Sequence, residues 1–70
     1  MKQKITKYYN GTIRYKYYEN DKGELHGLFI DYWEYNNKLY SKTNFVNGKY
    51  YGLDTSWYKN GKINEQIYYL

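Results

Sequence analysis

Apolar and aromatic residues alternate with polar ones along most of this chain, in segments of strand length. Because successive side chains of a strand point to opposite faces, such alternation predicts half-exposed β-strands. After residue 12, the residues predicted to share one face are Ile13, Tyr15 and Tyr17. After residue 38, the residues predicted to share one face are Leu39, Ser41, Thr43 and Phe45. No segment carries apolar residues at i, i+3, i+4 and i+7 for long enough to predict a helix.

Turn signals separate these segments. Asn-Gly is a strong hairpin signal, because a type I′ turn needs positive φ at both central residues. Asn-Gly or related turn chemistry occurs at Asn10-Gly11, Asn20–Gly23, Asn36-Asn37, Asn47-Gly48 and Asn60-Gly61. Five turns at this spacing leave six segments of strand length. The pattern predicts an all-β sheet with one mainly aliphatic and aromatic face, and another that mixes Tyr and Trp with Lys and Asp.

The sequence of residues 27–51 is repeated in residues 52–70. Aligned pairs are Gly27 with Gly52, Tyr32-Trp33 with Trp57-Tyr58, and Asn36-Asn37-Lys38-Leu39 with Asn60-Gly61-Lys62-Ile63. Between the glycine and the last aligned residue, Gly27–Leu39 is one residue longer than Gly52–Ile63, and we assign the extra residue to Tyr35. A self-match at a fixed period is typical of repeat arrays, in which one unit cannot bury its apolar face alone. We therefore predict a single domain over residues 1–70, with a degenerate repeat in 1–26 and full repeats in 27–51 and 52–70, the last one full or truncated.

This spacing of glycine, paired aromatics and Asn-Gly-Lys-type turns resembles the MORN-type repeat. It is most similar to a variant found in bacterial proteins, some of which are antitoxins of toxin–antitoxin pairs. The matching residues are Tyr32-Trp33, Asn36-Asn37-Lys38-Leu39, Phe45, Asn47-Gly48-Lys49, Gly52, Trp57-Tyr58 and Asn60-Gly61-Lys62-Ile63. One departure is Asn37, which stands where the repeat has Gly. The resemblance implies an elongated, twisted antiparallel meander of about six strands, protein–protein contacts and a bacterial or phage source; it carries no catalytic residues.

Composition adds two constraints. The chain has thirteen Tyr, two Trp and two Phe, and it has no Cys, so a disulfide framework is excluded. Aromatic residues favour strands, and the repeat accounts for most of them structurally. No apolar run follows the charged N-terminus or approaches the ~20 residues that span a bilayer, so a cytoplasmic protein is expected. The net charge of +4 is uneven, because residues 19–34 form an acidic stretch between two basic ones.

Candidates for chemistry are few. His26 is the single histidine, and neither Asp21 nor Glu24 completes a known ligand pattern with it. Ser56 and Asp54 lie on one predicted strand face, yet the sequence places no activating base beside them. No phosphate-binding glycine motif occurs. We therefore expect no enzyme activity, no catalytic residue, no metal site and no cofactor.

The expected function is non-catalytic binding of a protein partner, such as a toxin or an enzyme that the chain would inhibit. A small sheet leaves little room for a buried active site, whereas aromatic anchors dominate the energetics of protein interfaces. The predicted contact residues are Asp31, Trp33, Glu34, Tyr35 and Tyr58.

Two alternatives remain open. The first is a nucleic-acid-binding module, since Lys7-Tyr8-Tyr9 and Arg14-Tyr15-Lys16-Tyr17 interleave cations with rings that could stack on bases. The second is a self-assembling sheet or homodimer, formed through the expected edge segments Lys2–Tyr9 and Lys62–Leu70. Attachment to a membrane is not favoured, because no amphipathic helix supports it.

Overall fold

The computed structural model describes residues 1–34 and 36–70. It contains seven strands: β1 Lys2–Lys7, β2 Ile13–Glu19, β3 Gly27–Tyr32, β4 Leu39–Val46, β5 Lys49–Tyr50, β6 Gly52–Trp57 and β7 Ile63–Tyr69. All of them join one antiparallel sheet in the order β1-β2-β3-β4-β6-β7, and β5 pairs with β4. The predicted all-β antiparallel meander is confirmed. The seventh strand arises because Tyr51 divides one predicted segment into β5 and β6, and both parts pair with β4.

The sheet is a single layer. All seven strands belong to one hydrogen-bonded sheet, whose principal extents are 34, 28 and 11 Å. No hydrophobic side chain is buried within residues 1–34 and 36–70; the buried side chains are those of Thr43 and Thr55. Stability must therefore come from contacts between side chains on the two open faces, since there is no second layer to form a core.

Three turns at one end of the sheet share the same hydrogen bonds. In the last of them, the amide of Tyr58 donates to the carbonyl of Lys62, and Asn60 Oδ1 accepts from the amide of Lys62. The equivalent bonds close the β1–β2 and β3–β4 connections, with the Asn role taken by Asn10 and Asn36. We call this edge of the molecule the three-turn end.

Each of these turns has a residue in the left-handed backbone region at the equivalent position. Gly11 and Gly61 have φ of 89°, and Asn37 occupies the equivalent position with φ of 56°. Glycine adopts this conformation without steric cost, and Asn tolerates it better than most other residues do. The departure from the repeat at Asn37 is therefore accommodated by the same backbone geometry.

A β-bulge follows each turn and changes which face the next side chains occupy. Thr6 pairs with Tyr15, and the adjacent Lys7 pairs with Ile13, so Arg14 is the extra residue. Tyr40 and Asn64 are extra in the same way in β4 and β7. Because a bulge shifts the alternation by one residue, the predicted grouping of Ile13 with Tyr15 is wrong. The grouping of Leu39 with Ser41 is wrong for the same reason.

The opposite end of the sheet is held by contacts between its two connections. The loop between β2 and β3 lies against the β4–β5 turn, where the backbone amide of Asn47 donates to Nδ1 of His26 at 3.2 Å. The side chains of Asn20 and Asn47 are hydrogen-bonded at 3.1 Å, and the amide of Gly48 donates to the carbonyl of Leu25 at 2.8 Å. His26 therefore joins two turns.

Candidate partner-binding surface

The two faces of the sheet carry different side chains, and the register shows which residues share a face. Directly paired residues point to the same side, so Tyr15, Asp31 and Ser41 lie together. We call this side the aromatic face. Its ring residues are Tyr15, Tyr17, Phe29, Phe45, Tyr50 and Tyr69.

These rings form a continuous row across the sheet. The ring centroids of Tyr17 and Phe29 are 5.2 Å apart, and those of Phe29 and Phe45 are 6.1 Å apart. The row continues from Phe45 to Tyr50 at 5.0 Å and from Tyr50 to Tyr69 at 4.7 Å. Aromatic pairs at such distances contribute about 0.5–1.5 kcal/mol each beyond the area they bury. The row therefore takes the place of a hydrophobic core.

Carboxylates lie beside the ring row. Thr43 Oγ1 donates to Asp54 Oδ1 at 2.8 Å, and Ser41 Oγ lies 3.4 Å from Asp31 Oδ2. Partial burial raises the pKa of Asp31 above its ordinary value of 3.8, and this effect exceeds the opposing effects of Ser41 and Arg14. The guanidinium of Arg14 also lies 5.7 Å from the ring centre of Tyr15. The polar and aromatic side chains of the aromatic face therefore contact one another.

The other side, which we call the lysine face, combines aliphatic side chains with cations. Its aliphatic strand residues are Ile5, Ile13, Leu28, Ile30, Leu39, Val46, Leu53 and Ile63. Its lysines in strands are Lys7, Lys16, Lys42 and Lys49. Several of the aliphatic residues are well exposed, including Ile5 at 50%, Leu53 at 46% and Ile63 at 54%. This face is therefore an uncovered apolar surface with positive charge.

The acidic residues of the strands are sorted to one side. All four lie on the aromatic face: Glu19, Asp31, Asp54 and Glu65. No carboxylate from a strand is therefore available to neutralise the lysine face. The acidic stretch seen along residues 19–34 does not form an acidic belt on the folded surface, because alternation and loops distribute its members.

Two shallow cavities lie on the lysine face at the three-turn end. The first has a volume of about 380 Å³ and is lined by Lys7, Gly11, Thr12, Ile13, Tyr32 and Asn37. The second has a volume of about 420 Å³ and is lined by Asn37, Lys38, Leu39, Trp57 and Gly61. Each combines an aliphatic residue, an aromatic residue and a lysine with the walls of two successive turns.

The cavities are equivalent by the repeat. Ile13 of the first corresponds to Leu39 of the second, and Tyr32 corresponds to Trp57. Tyr32 is in β3 and Trp57 is in β6, with β4 between them. Two strand spacings place the cavities about 10 Å apart. The sheet therefore carries two similar sites in a row across the strands.

Of the residues predicted to contact a partner, Asp31 is the one that the strand register assigns to a face, and that face is opposite the cavities. Asp31 is half-buried on the aromatic face, and the ring of Trp33 meets the ring of Tyr40 at 4.6 Å. Glu34 is half-buried in the turn, and Tyr58 is exposed one turn further along. Tyr35 lies outside the described residues. Their role as a contact remains a prediction.

Trp33 has the most unusual environment of this group. Its Nε1 is buried and has no hydrogen-bond partner among residues 1–34 and 36–70. Nζ of Lys59, from the next turn, lies 5.4 Å from the centre of its ring. Tyr8, the equivalent residue of the β1–β2 turn, instead donates its hydroxyl to the carbonyl of Tyr32 at 2.7 Å. The structure thus brings Trp33 together with Tyr40 and Lys59, a cluster that sequence alone did not indicate.

Among the candidates for chemistry, His26 lies in the connection between β2 and β3, and Asp54 and Ser56 lie in β6. Asp54 and Ser56 share the aromatic face, and the Asp54 carboxylate accepts from Thr43. Within the described part of the chain, no three His, Cys, Asp or Glu side chains are grouped closely enough to hold a metal ion. The same residues include no helix with the length and apolarity to cross a bilayer.

The interleaved basic and aromatic segments are divided between the faces. Arg14 lies near the aromatic rings, whereas Lys16 points to the other side, where its Nζ lies 5.9 Å from the ring centre of Tyr32.

The cavities were not predicted, because the bulges that turn Ile13 and Leu39 onto the lysine face are not visible as alternation. A signal was available in the recurrence of an aliphatic residue directly after each turn, at residues 13, 39 and 63.

Comparisons with protein-family models, with curated proteins and with solved structures find no match to this chain.

Proposed function

We propose that this chain is a non-catalytic module that binds another protein. The observation that carries the proposal is an uncovered apolar face, with two cavities, on a sheet that buries none of the hydrophobic side chains among its described residues. Contiguous exposed apolar surface with a polar rim marks interaction sites on soluble proteins. The proposal includes the cytoplasmic setting expected from the sequence.

The resemblance to MORN-type repeats supports the same proposal and suggests its form. Three turns with the same hydrogen bonds, each followed by a bulge, fit an array of hairpin repeats. Some bacterial proteins with similar repeats are antitoxins, so the partner of this chain would be a toxin or an enzyme that is blocked on binding. Inhibition by a flat module needs only a surface that covers the partner's active site.

Capture from an extract of the native host tests the proposal. Tagged wild-type protein should retain one protein at stoichiometric amounts, identified by mass spectrometry, and retention should persist after nuclease treatment. A Trp33→Ala/Tyr58→Ala variant tests the contact predicted from the sequence, provided that its circular dichroism matches wild type. Undiminished capture by this variant would remove those two residues from the contact. Absence of any stoichiometric protein would refute the proposed function.

Nucleic-acid binding is the second candidate, because the lysine face has four strand lysines and no strand carboxylate. Binding to phosphates releases counterions, so retention on heparin or single-stranded DNA would fall steeply between low and physiological salt. Shallow salt dependence together with nuclease-resistant protein capture would exclude this candidate.

Self-association is favoured by the properties of one edge strand. β1 carries Lys2, Lys4 and Lys7, which protect an edge from pairing, whereas β7 has Glu65 as its single charged residue. Pairing of β7 with β7 of a second copy would give a homodimer. Light scattering should then show twice the monomer mass, and an Ile67→Lys variant should restore the monomer. A monomeric wild-type protein at high concentration would exclude this candidate.

A further inference from the structure

We propose that the two cavities of the lysine face bind an acidic amphipathic helix of the partner protein, through two apolar side chains that are seven positions apart. This inference rests on the proposed function and specifies the chemistry of the partner. It depends on three features of the surface: the spacing of the cavities, the direction of their row, and the charge around them.

The spacing matches a helix. The cavities lie about 10 Å apart, as two strand spacings. Residues i and i+7 of an α-helix are about 10.5 Å apart along the axis and lie on nearly the same side of it. Two apolar side chains at this interval would reach Tyr32 in one cavity and Trp57 in the other. Recognition of helices by grooves commonly uses anchors of this kind.

The direction of the row favours a helix over an extended segment. The cavities follow one another across the strands, on a face that presents side chains rather than free backbone groups. An extended peptide lying there would leave its amides and carbonyls without sheet partners, at a cost for each one that is shielded from water. A helix satisfies its own backbone hydrogen bonds, so it loses none on docking.

The charge around the cavities favours an acidic partner. Lys7 lines the first cavity and Lys38 lines the second, and both lysines are exposed. Lys16 and Lys42 extend the positive surface along the strands behind the cavities. Carboxylates that flank the apolar anchors of a helix would meet these ammonium groups at the rim, where charge mainly sets association rate and specificity.

Other anionic partners fit less well. Single-stranded nucleic acid stacks on open ring faces, whereas Tyr32 and Trp57 are half-buried walls beside aliphatic side chains. A flat anionic bilayer would leave both cavities unfilled. Binding of single-stranded nucleic acid and binding of an anionic bilayer are therefore alternative outcomes of the test.

The test uses synthetic helical peptides of about 16 residues, which span ~24 Å as helices and fit on a face of 34 by 28 Å. The main peptide has two leucines seven positions apart on an Ala/Glu background. One control replaces a single leucine by glutamine, and another replaces every glutamate by lysine. Binding is followed by ¹⁵N-labelled NMR of the full chain, in which the indole of Trp57 reports on the cavities and that of Trp33 reports on the aromatic face.

The acidic two-leucine peptide should shift the Trp57 indole signal and the amides of Ile13 and Leu39, with the Trp33 indole unmoved. The lysine peptide and the single-leucine peptide should each bind about tenfold more weakly or worse, because each loses rim attraction or one anchor. Equal binding of the acidic and lysine peptides, dominant shifts at Trp33, or no binding of the acidic peptide would each overturn the proposal.

A pair of charge variants adds a control within the protein. Lys7→Glu/Lys38→Glu reverses the charge at the cavities, and Lys2→Glu/Lys4→Glu makes the same charge change on the aromatic face. The first variant should weaken binding of the acidic peptide about tenfold relative to the second, since each reversal replaces an attraction at the rim by a repulsion. Equal weakening by both variants would indicate net charge alone and would overturn the assignment to this face.

Failure of this proposal can be distinguished from failure of the proposed function. If the host partner is captured but the acidic peptide does not bind, the chain binds a protein in another way, and the helix proposal is overturned alone. If phosphatidylcholine–phosphatidylserine vesicles or oligo-dT shift the Trp57 signal while the peptide does not, and no host protein is captured, both proposals are overturned.

Discussion

Replacement of Phe29 by Ala tests whether the row of rings acts as the core of this single-layer sheet. Phe29 is the residue at which the row joins β2 to β4. Its ring centroid lies 5.4 Å from that of Tyr15, 5.2 Å from Tyr17 and 6.1 Å from Phe45. The substitution removes all three ring pairs at once, while the backbone pairing of β3 with its neighbours stays possible.

The expected loss follows from those contacts. Three aromatic pairs at about 0.5–1.5 kcal/mol each give roughly 1.5–4.5 kcal/mol. Phe→Ala at a fully buried site costs about 3–5 kcal/mol, and Phe29 is half-buried, so a loss of about 2–4 kcal/mol is expected. A chain of this length has a free energy of unfolding of roughly 3.5–10 kcal/mol. Phe29→Ala should therefore remove a large part of the stability.

Urea unfolding followed by circular dichroism measures this loss. With an m-value of about 1 kcal/mol/M, the midpoint should fall by roughly 2–4 M. The matched control is Tyr68→Ala, since Tyr68 is 68% exposed and lies in edge strand β7 on the lysine face. A second variant, Phe29→Leu, keeps most of the apolar area and isolates the loss of ring–ring contact. The reasoning is refuted if Phe29→Ala costs no more than Tyr68→Ala.

Three further predictions concern single residues. Gly61→Ala should lower the free energy of unfolding by about 1–2 kcal/mol, because φ of 89° is strained for any residue with a side chain. Asn37→Gly should keep or raise the free energy of unfolding. Chemical denaturation compares the two variants, and equal losses would contradict the turn assignment. Asp31→Asn should stabilise the chain relative to wild type near neutral pH, because a carboxyl group with a raised pKa in the folded state costs stability as pH rises. The difference should vanish below the ordinary pKa of 3.8. A thermal-melting series from pH 3 to 7 in which the difference is constant would contradict the raised pKa. Tyr8→Phe should cost about 1 kcal/mol in denaturant unfolding, since it leaves the carbonyl of Tyr32 without its donor, and no measurable loss would show that water replaces this bond.

Strands and turns were predictable because their signals are local. Each Asn-Gly or Asn-Asn pair sets a backbone conformation within four residues, and each alternating segment between them has a strand's period. The self-match between residues 27–51 and 52–70 added the expectation that successive hairpins would be similar. The three turns and their hydrogen bonds follow from these short-range features.

The candidate site was only partly predictable. Aromatic density indicated Trp33 and Tyr58 as contacts, and that assignment remains a prediction. Sequence did not indicate the cavities, since a cavity needs an aliphatic residue from one strand, a ring from a neighbouring strand and the walls of two turns. Tyr32 and Ile13 are nineteen positions apart along the chain and meet only through the pairing of β2 with β3.

The sequence by itself determined the all-β class and the positions of the turns, because both depend on residues close together in the chain. It also showed the self-match between residues 27–51 and 52–70. Only the tertiary structure decided how side chains are shared between the two faces. A bulge after each turn shifts alternation by one residue, so Ile13 and Leu39 join the lysines on one face. The strand carboxylates all fall on the aromatic face, so the positive charge of the lysine face depends on this register.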